Sequence, residues 1–457
     1  MGLSGAKEVD LGNGSVGRLL IRLALPAIAA QVVNVLYNLV DRMYIGHLAN
    51  VGAAALTGVG VTFPLITVIS AFAALVSMGG APRASIMMGA DHNDMAEHIL
   101  GNCTFALIVV ATVLTAFISF YGKSVLLMFG ASENTVVYAW QYMQIYCLGT
   151  IFVQLALGLN AFINAQGFTM TGMLTVLIGA VINIVLDPIF IFVLGMGVRG
   201  AALATIISQG ISSAWVVLFL TSRRSVLRIR LRYMKAEPKI LGPAIALGIS
   251  PFVMQFTESA LNICFNTSLL RYGGDIAVGA MTILNSVMHF AWLPLNGLCQ
   301  GAQPITSFNY GAGKFDRIRS VFKILLVSCV SLATLLWLIS EFATGLPVAI
   351  FTRDPELTAA AKWALRIYIF SFPLMGIQTA CQHTFISLGN ARASTFVALL
   401  RKVFLLIPFI YILPMFFEDK VFAVFLAEPI ADCMSATTAS VLFYLFFRKI
   451  ASHRVKI

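Results

Sequence analysis

The chain has 457 residues, 59% hydrophobic and 11% charged, and a formal net charge of +11. A soluble domain carries roughly 25% charged residues, so a soluble fold is excluded. The basic residues lie between apolar runs and not on one polar face, which excludes a nucleic-acid-binding surface.

Twelve apolar runs of about 20 residues each are long enough to cross a hydrocarbon core of roughly 30 Å as helices. They lie near 20–45, 53–78, 99–120, 136–158, 172–194, 201–221, 244–270, 276–299, 321–343, 363–386, 402–417 and 421–447. β-Barrel strands would be shorter and would alternate apolar with polar residues. The expected fold class is an all-α polytopic membrane protein.

The first span contains Pro26, which removes a backbone donor and is expected to hinge the helix. Gln31, Asn34, Asn38 and Asp41 follow at helical spacing with Tyr37 beside them, so one face is expected to line a polar cavity. After the second span comes Gly80–Ala90, GAPRASIMMGA, which reads as a loop. Asn183 and Asp187 are four apart on the fifth span and share a face. Thr205 lies early in the sixth span, at the depth expected for Asp41 and Asp187. Carboxylates in hydrocarbon are costly and mark functional sites. Asp41 and Asp187 with Asn183 and Thr205 form a set of oxygens that suits either H⁺ or Na⁺.

Arg223–Lys239, RRSVLRIRLRYMKAEPK, follows the sixth span and is expected to face anionic headgroups. The seventh span holds Pro251 and a second polar face of Gln255, Glu258 and Asn262. Glu258 is the candidate acid of this part of the chain. His289 lies on the eighth span. Ala302–Ala312, AQPITSFNYGA, then repeats the earlier segment: Pro82/Pro304, Ser85/Ser307, Gly89/Gly311 and Ala90/Ala312 fall in register. Gln378, Gln382 and His383 form a stripe on the tenth span as cavity candidates. Glu428 and Asp432 flank Pro429 on the twelfth, with Arg401 as a candidate partner.

The repeat divides the chain into two pseudo-symmetric six-helix lobes, 1–222 and 241–457, joined by a basic linker at 223–240. Pro26 and Pro251 are paired by a nearby offset. Duplicated halves in a membrane protein point to a transporter with its substrate between them. All but eight of the 30 Lys and Arg fall on one side if both termini are cytoplasmic, including Lys7, the linker residues, Arg392, Arg401, Lys402, Arg454 and Lys456. The eight exceptions are Arg42, Lys123, Arg199, Arg271, Arg353, Lys362, Arg366 and Lys420. The polar N-terminus carries no cleavable-signal pattern, and the expected location is the cytoplasmic membrane.

Seven cysteines at 103, 147, 264, 299, 329, 381 and 433 are scattered singly, without metal-ligand spacing. Gly311-Ala-Gly-Lys314-Phe lacks the first glycine and the hydroxyl of a phosphate-binding loop. No nucleophile or metalloprotease pattern stands out, so an enzyme is not expected, and no cofactor beyond a coupling ion is called for.

Two six-helix halves, the segment Gln303-Pro304 to Gly313 and the string Asn183-Ile-Val-Leu-Asp187-Pro188 resemble the multidrug and toxic compound extrusion family. The start, Leu25-Pro26 through Asp41, is similar to its DinF-like and MepA-type bacterial branch. The resemblance implies a secondary antiporter that exports cationic or amphipathic drugs against inward H⁺ or Na⁺ by alternating access, working as a monomer among membrane lipids. It assigns cation coupling to Asp41, Asn183, Asp187 and Thr205, and substrate contact to Glu258. Gln255, Asn262, Gln31, Asn34, Tyr37, Asn38, Gln378 and His383 are the further substrate-binding candidates. The alternative is a flippase for lipid-linked oligosaccharides, which would favour a cationic cavity.

Overall fold

The computed structural model describes residues 10–48, 52–352 and 354–452. Lys7, Arg353, Arg454 and Lys456, which enter the charge bias, lie outside them.

With no water in hydrocarbon, every backbone N–H must be satisfied within its own segment, and helices do this. Among the described residues nine helices are long and apolar enough to cross a bilayer, and two further spans are bent pairs. The longest, Pro238–Gly311, has 74 residues and breaks at Gly274, whose φ of 64° no side-chain-bearing residue adopts readily. At 1.5 Å per residue it would run roughly 110 Å unbroken, several bilayers thick. Divided there, it makes twelve spans.

In chain order they are α1 (Val16–Gly46), α2 (Gly52–Gly89), α3 (Asn93–Met128), α4 (Val136–Leu148 and Thr150–Ala165, bent by 60°), α5 (Thr169–Pro188) and α6 (Val198–Thr221). The second six are α7 (238–273), α8 (275–311), α9 (Phe315–Phe342), α10 (Pro355–Tyr368 and Phe372–Ser387, bent by 51°), α11 (Ala391–Met415) and α12 (Lys420–Ser452). Two spans carry wider π-helical turns: Ile189–Val193 directly after α5, and Leu400–Leu406 inside α11. α1 continues as helix past Pro26.

The repeated segments are not loops. Gly80–Gly89 ends α2 and 302–311 ends α8, both helical through their prolines. They pack on each other. A Cβ on Gly89 would fall 1.9 Å from the Phe308 carbonyl oxygen, and one on Gly311 would fall 1.8 Å from that of Ile86. Ser85 Oγ donates to Pro304 O at 3.4 Å. The same close approach recurs higher up, between Gly79 and Ala244, Gly248 and Leu75, and Gly301 and Ala24. Phe72 and Phe252 meet edge to face at 5.1 Å. These contacts form a two-fold seam at the end of the bundle that carries the linker. The first turns of α1 join it: Leu19, Leu20, Leu23 and Ala24 share a core with Cys299, Ala302 and Ile305 of α8.

The linker is tacked to the first six helices. Gln166 Oε1 accepts from Ser225 Oγ and Leu227 N, both at 3.0 Å, while Asn102 Oδ1 accepts from Glu237 N at 2.8 Å. Arg230 pairs with Glu97. Its inner face is therefore held by protein, while Arg223, Arg224 and Arg232 are exposed.

Candidate functional site

The first cluster lies where α1, α5 and α6 meet. Asp41 ends the polar stripe of α1 and is buried. Asn183 and Asp187, one helical turn apart on α5, are buried too, and Asn183 Nδ2 donates to Asp187 Oδ1 at 3.2 Å. The same amide reaches Thr205 Oγ1 of α6 at 3.5 Å, and that hydroxyl donates back to Ala201 O at 3.0 Å. The Asp41 and Asp187 side chains are neighbours. The structure thus brings together the four residues singled out from the sequence.

Asp41 does not pair with Arg42, whose guanidinium lies over the Phe63 ring at 5.1 Å. Asp41 Oδ1, Asn183 Oδ1 and Asp187 Oδ2 are buried and accept no hydrogen bond. Carboxylates are acceptor-only when ionised. Three buried oxygens of this one cluster therefore lack a donor. Pro188 and the π turn Ile189–Val193 follow directly, a feature frequent at functional sites. Tyr142 of α4 was not singled out from the sequence; its hydroxyl reaches the Thr205 side chain and its ring stacks on Tyr146 at 5.9 Å. An aromatic in an apolar run gives no signal of its own.

The remaining α1 candidates are spread. Gln31 and Tyr37 are half-buried, Asn34 and Asn38 are exposed, and Asn38 Nδ2 donates to Asn34 O at 2.6 Å.

The second cluster lies on α7, α11 and α12. Glu258 is held by Lys402, whose ammonium also donates to Met254 O at 3.0 Å. Arg401 bridges Glu428 and Asp432, each at 2.7 Å. Two expectations change here. Arg401 and Lys402 were placed in a segment facing the cytoplasm, yet both are buried inside α11, which begins eleven residues earlier than the apolar run suggested. Glu258, expected to stand free for a cation, already has one. Asn262 accepts from Asn285 Nδ2 at 2.9 Å, and Gln255 is half-buried.

Gln378 and Gln382, expected to line a cavity, are core residues. Gln378 Nε2 donates to Gln382 Oε1 at 3.2 Å, and Gln382 Nε2 donates to Ser250 Oγ at 3.1 Å, tying α10 to α7. His383 is one position further round the helix and half-buried.

The MatE family model matches the chain twice, at residues 26–189 and 251–412, which together exceed half its length. The two matches start at Pro26 and Pro251, the prolines that the repeat pairs. The multidrug export protein MepA of Staphylococcus haemolyticus is 25% identical over 401 residues, covering 88% of each chain. That of Staphylococcus aureus is 25% identical over 436 residues and 94% of each. Among solved structures, a MATE protein in a bent conformation superposes with a TM-score of 0.92 over 99% of this chain and 100% of its own, at 21% identity.

Proposed function

The chain belongs to the MatE family, and on that premise we propose that it is a multidrug efflux antiporter exporting organic cations in exchange for H⁺ or Na⁺. The observation that carries this is the set of three unpartnered buried oxygens on Asp41, Asn183 and Asp187.

A cation entering that set satisfies all three oxygens and, with the Thr205 hydroxyl, gains a fourth. Two carboxylates so close repel when both are ionised; at about 4 Å and an effective dielectric of 20 the repulsion is about 4 kcal/mol. A captured cation or proton removes most of it. The site spans α1, α5 and α6, so its occupancy changes how α1 sits against its own lobe. α1 also shares a core with α8 across the seam. Filling the site therefore biases the seam between closed and open, which is alternating access in mechanical terms.

With the linker end placed in the cytoplasm, the basic residues follow the positive-inside rule. The tight glycine seam then closes the cytoplasmic face, and the path between the lobes opens outward, to release substrate and admit the coupling ion. Glu258, whose side chain is 59% exposed, is the carboxylate presented to cationic cargo. The MepA proteins named above are multidrug exporters, which supports drug export by this chain. A flippase would use free buried bases, and both bases of the second cluster are matched by carboxylates.

Asp187→Asn tests the reading. In proteoliposomes the variant is expected to bind a cationic dye yet fail to export it under an inward pH or Na⁺ gradient. Export at the parent's rate under either gradient contradicts the assignment.

A further inference from the structure

The second cluster has a charge imbalance that points to how it handles its ligand. When all are ionised, Glu258, Glu428 and Asp432 contribute three negative charges, while Arg401 and Lys402 contribute two positive ones. Arg401 is shared between two carboxylates: Nη2 donates to Glu428 Oε1 and Nε to Asp432 Oδ1, and the other Asp432 oxygen accepts from Ser371 Oγ at 2.9 Å. The shortage falls on Glu428. That residue is 7% exposed, and its Oε2 is buried without a hydrogen bond. A bare buried carboxylate oxygen is costly.

Lys402 and Glu258 are unequal partners. The lysine side chain is 8% exposed and the glutamate 59%. The carboxylate is presented outward and the ammonium stands behind it. The π-helical stretch Leu400–Leu406 turns two consecutive basic residues into one cluster. A lysine has a flexible stem and rotatable donors, whereas the planar fork of Arg401 is fixed by two carboxylates. Only Lys402 is built to move.

We propose that Lys402 is a tethered counter-ion, which holds Glu258 until a monovalent organic cation displaces it, and then turns to Glu428 Oε2. This rests on reading Glu258 as the residue that meets cationic cargo. Before the exchange one carboxylate oxygen is orphaned and the cluster is one charge short. After it, every carboxylate has a partner and the cluster is neutral. A neutral ligand cannot drive the exchange, and a dication overshoots it. Lys402 therefore sets both the charge preference of the site and the threshold that a ligand must exceed to enter.

The test is direct binding of radiolabelled tetraphenylphosphonium to the purified full chain. Lys402→Gln removes the competitor and is expected to tighten binding about tenfold, or 1.4 kcal/mol. Lys402→Arg, which keeps a positive charge on Glu258, must not tighten it. Glu428→Gln removes the destination of Lys402 and is expected to weaken binding about tenfold. Unchanged or weaker binding by Lys402→Gln, with Glu258→Gln abolishing binding, overturns the proposal and leaves the Glu258 reading standing. Undiminished binding by Glu258→Gln overturns both. Should Lys402→Gln not fold, unchanged affinity of Glu428→Gln overturns the proposal.

Discussion

Asp41→Asn perturbs the N-lobe site without changing its volume. In the parent, Asp41 Oδ1, Asn183 Oδ1 and Asp187 Oδ2 are buried and accept nothing. Each orphan costs about 1–3 kcal/mol, so the three together cost about 3–9 kcal/mol. The substitution replaces one acceptor by an amide donor next to Asp187, and a hydrogen bond to a charged acceptor contributes about 1.5–3 kcal/mol. It also removes the like-charge repulsion of about 4 kcal/mol estimated at an effective dielectric of 20. The variant is therefore expected to fold at least as well as the parent while losing its reason to bind an ion. The assay is thermal unfolding in NaCl against choline chloride at fixed ionic strength, repeated across pH. A site filled at a hundredfold excess over its dissociation constant gains about 2.7 kcal/mol. The parent should show an ion- or proton-dependent shift on that scale and the variant none, with gradient-driven dye export falling to background. A variant that unfolds more easily, or that keeps the full ion-dependent shift and full export, refutes the reasoning.

Three further outcomes are expected. Gly311→Val places side-chain atoms where a Cβ already falls 1.8 Å from the Ile86 carbonyl oxygen, so the seam must part; the distance between spin labels at Asp91 and Asp316 should lengthen, and an unchanged distribution counts against the seam. Arg401→Met leaves Glu428 and Asp432 uncompensated and should destabilise the protein by about 3–5 kcal/mol, measured by denaturant titration, while adding Glu428→Gln and Asp432→Asn should restore most of the loss. The Asn13 side chain and the backbone N–H groups of Gly12 and Asn13 donate to the Asp10 carboxylate and hold it below the usual carboxylate range. A lowered folded-state value means the turn's support is present at neutral pH and is lost as pH falls through that value, below about 4. Hydrogen exchange at residues 11–14 should accelerate only there, and a loss near pH 6 would contradict it.

The twelve spans were legible because hydrocarbon demands long, internally bonded helices, and the apolar runs record that demand. The cluster of Asp41, Asn183, Asp187 and Thr205 was legible for a related reason: an ionisable residue in an apolar run is conspicuous, and Asn183 and Asp187 announce a shared face by their spacing. What failed was everything set by non-local packing. Pro82, Gly89, Pro304 and Gly311 looked like turn residues, yet neighbouring helices let α2 and α8 run through them, and the glycines serve the close approach of the two helices. The pairing of Arg401 with Glu428 and Asp432 was foreseen from their charges, but Arg401 and Lys402 looked like a membrane boundary because nothing local marks a π-helical stretch or says that a partner for Lys402 awaits 144 residues away, at Glu258. Gln378 and Gln382 form a polar stripe as visible as that of α1, but they are buried and bonded to each other and to Ser250 of α7. Periodicity reveals a polar face without revealing what it faces.

Dye movement in proteoliposomes under separately imposed pH and Na⁺ gradients tests the central claim most directly. The account predicts that one of these gradients drives a cationic dye against its own concentration difference, and that dissipating the gradient with an ionophore stops it. Uphill export that persists with both gradients dissipated, or no export under either, would contradict it.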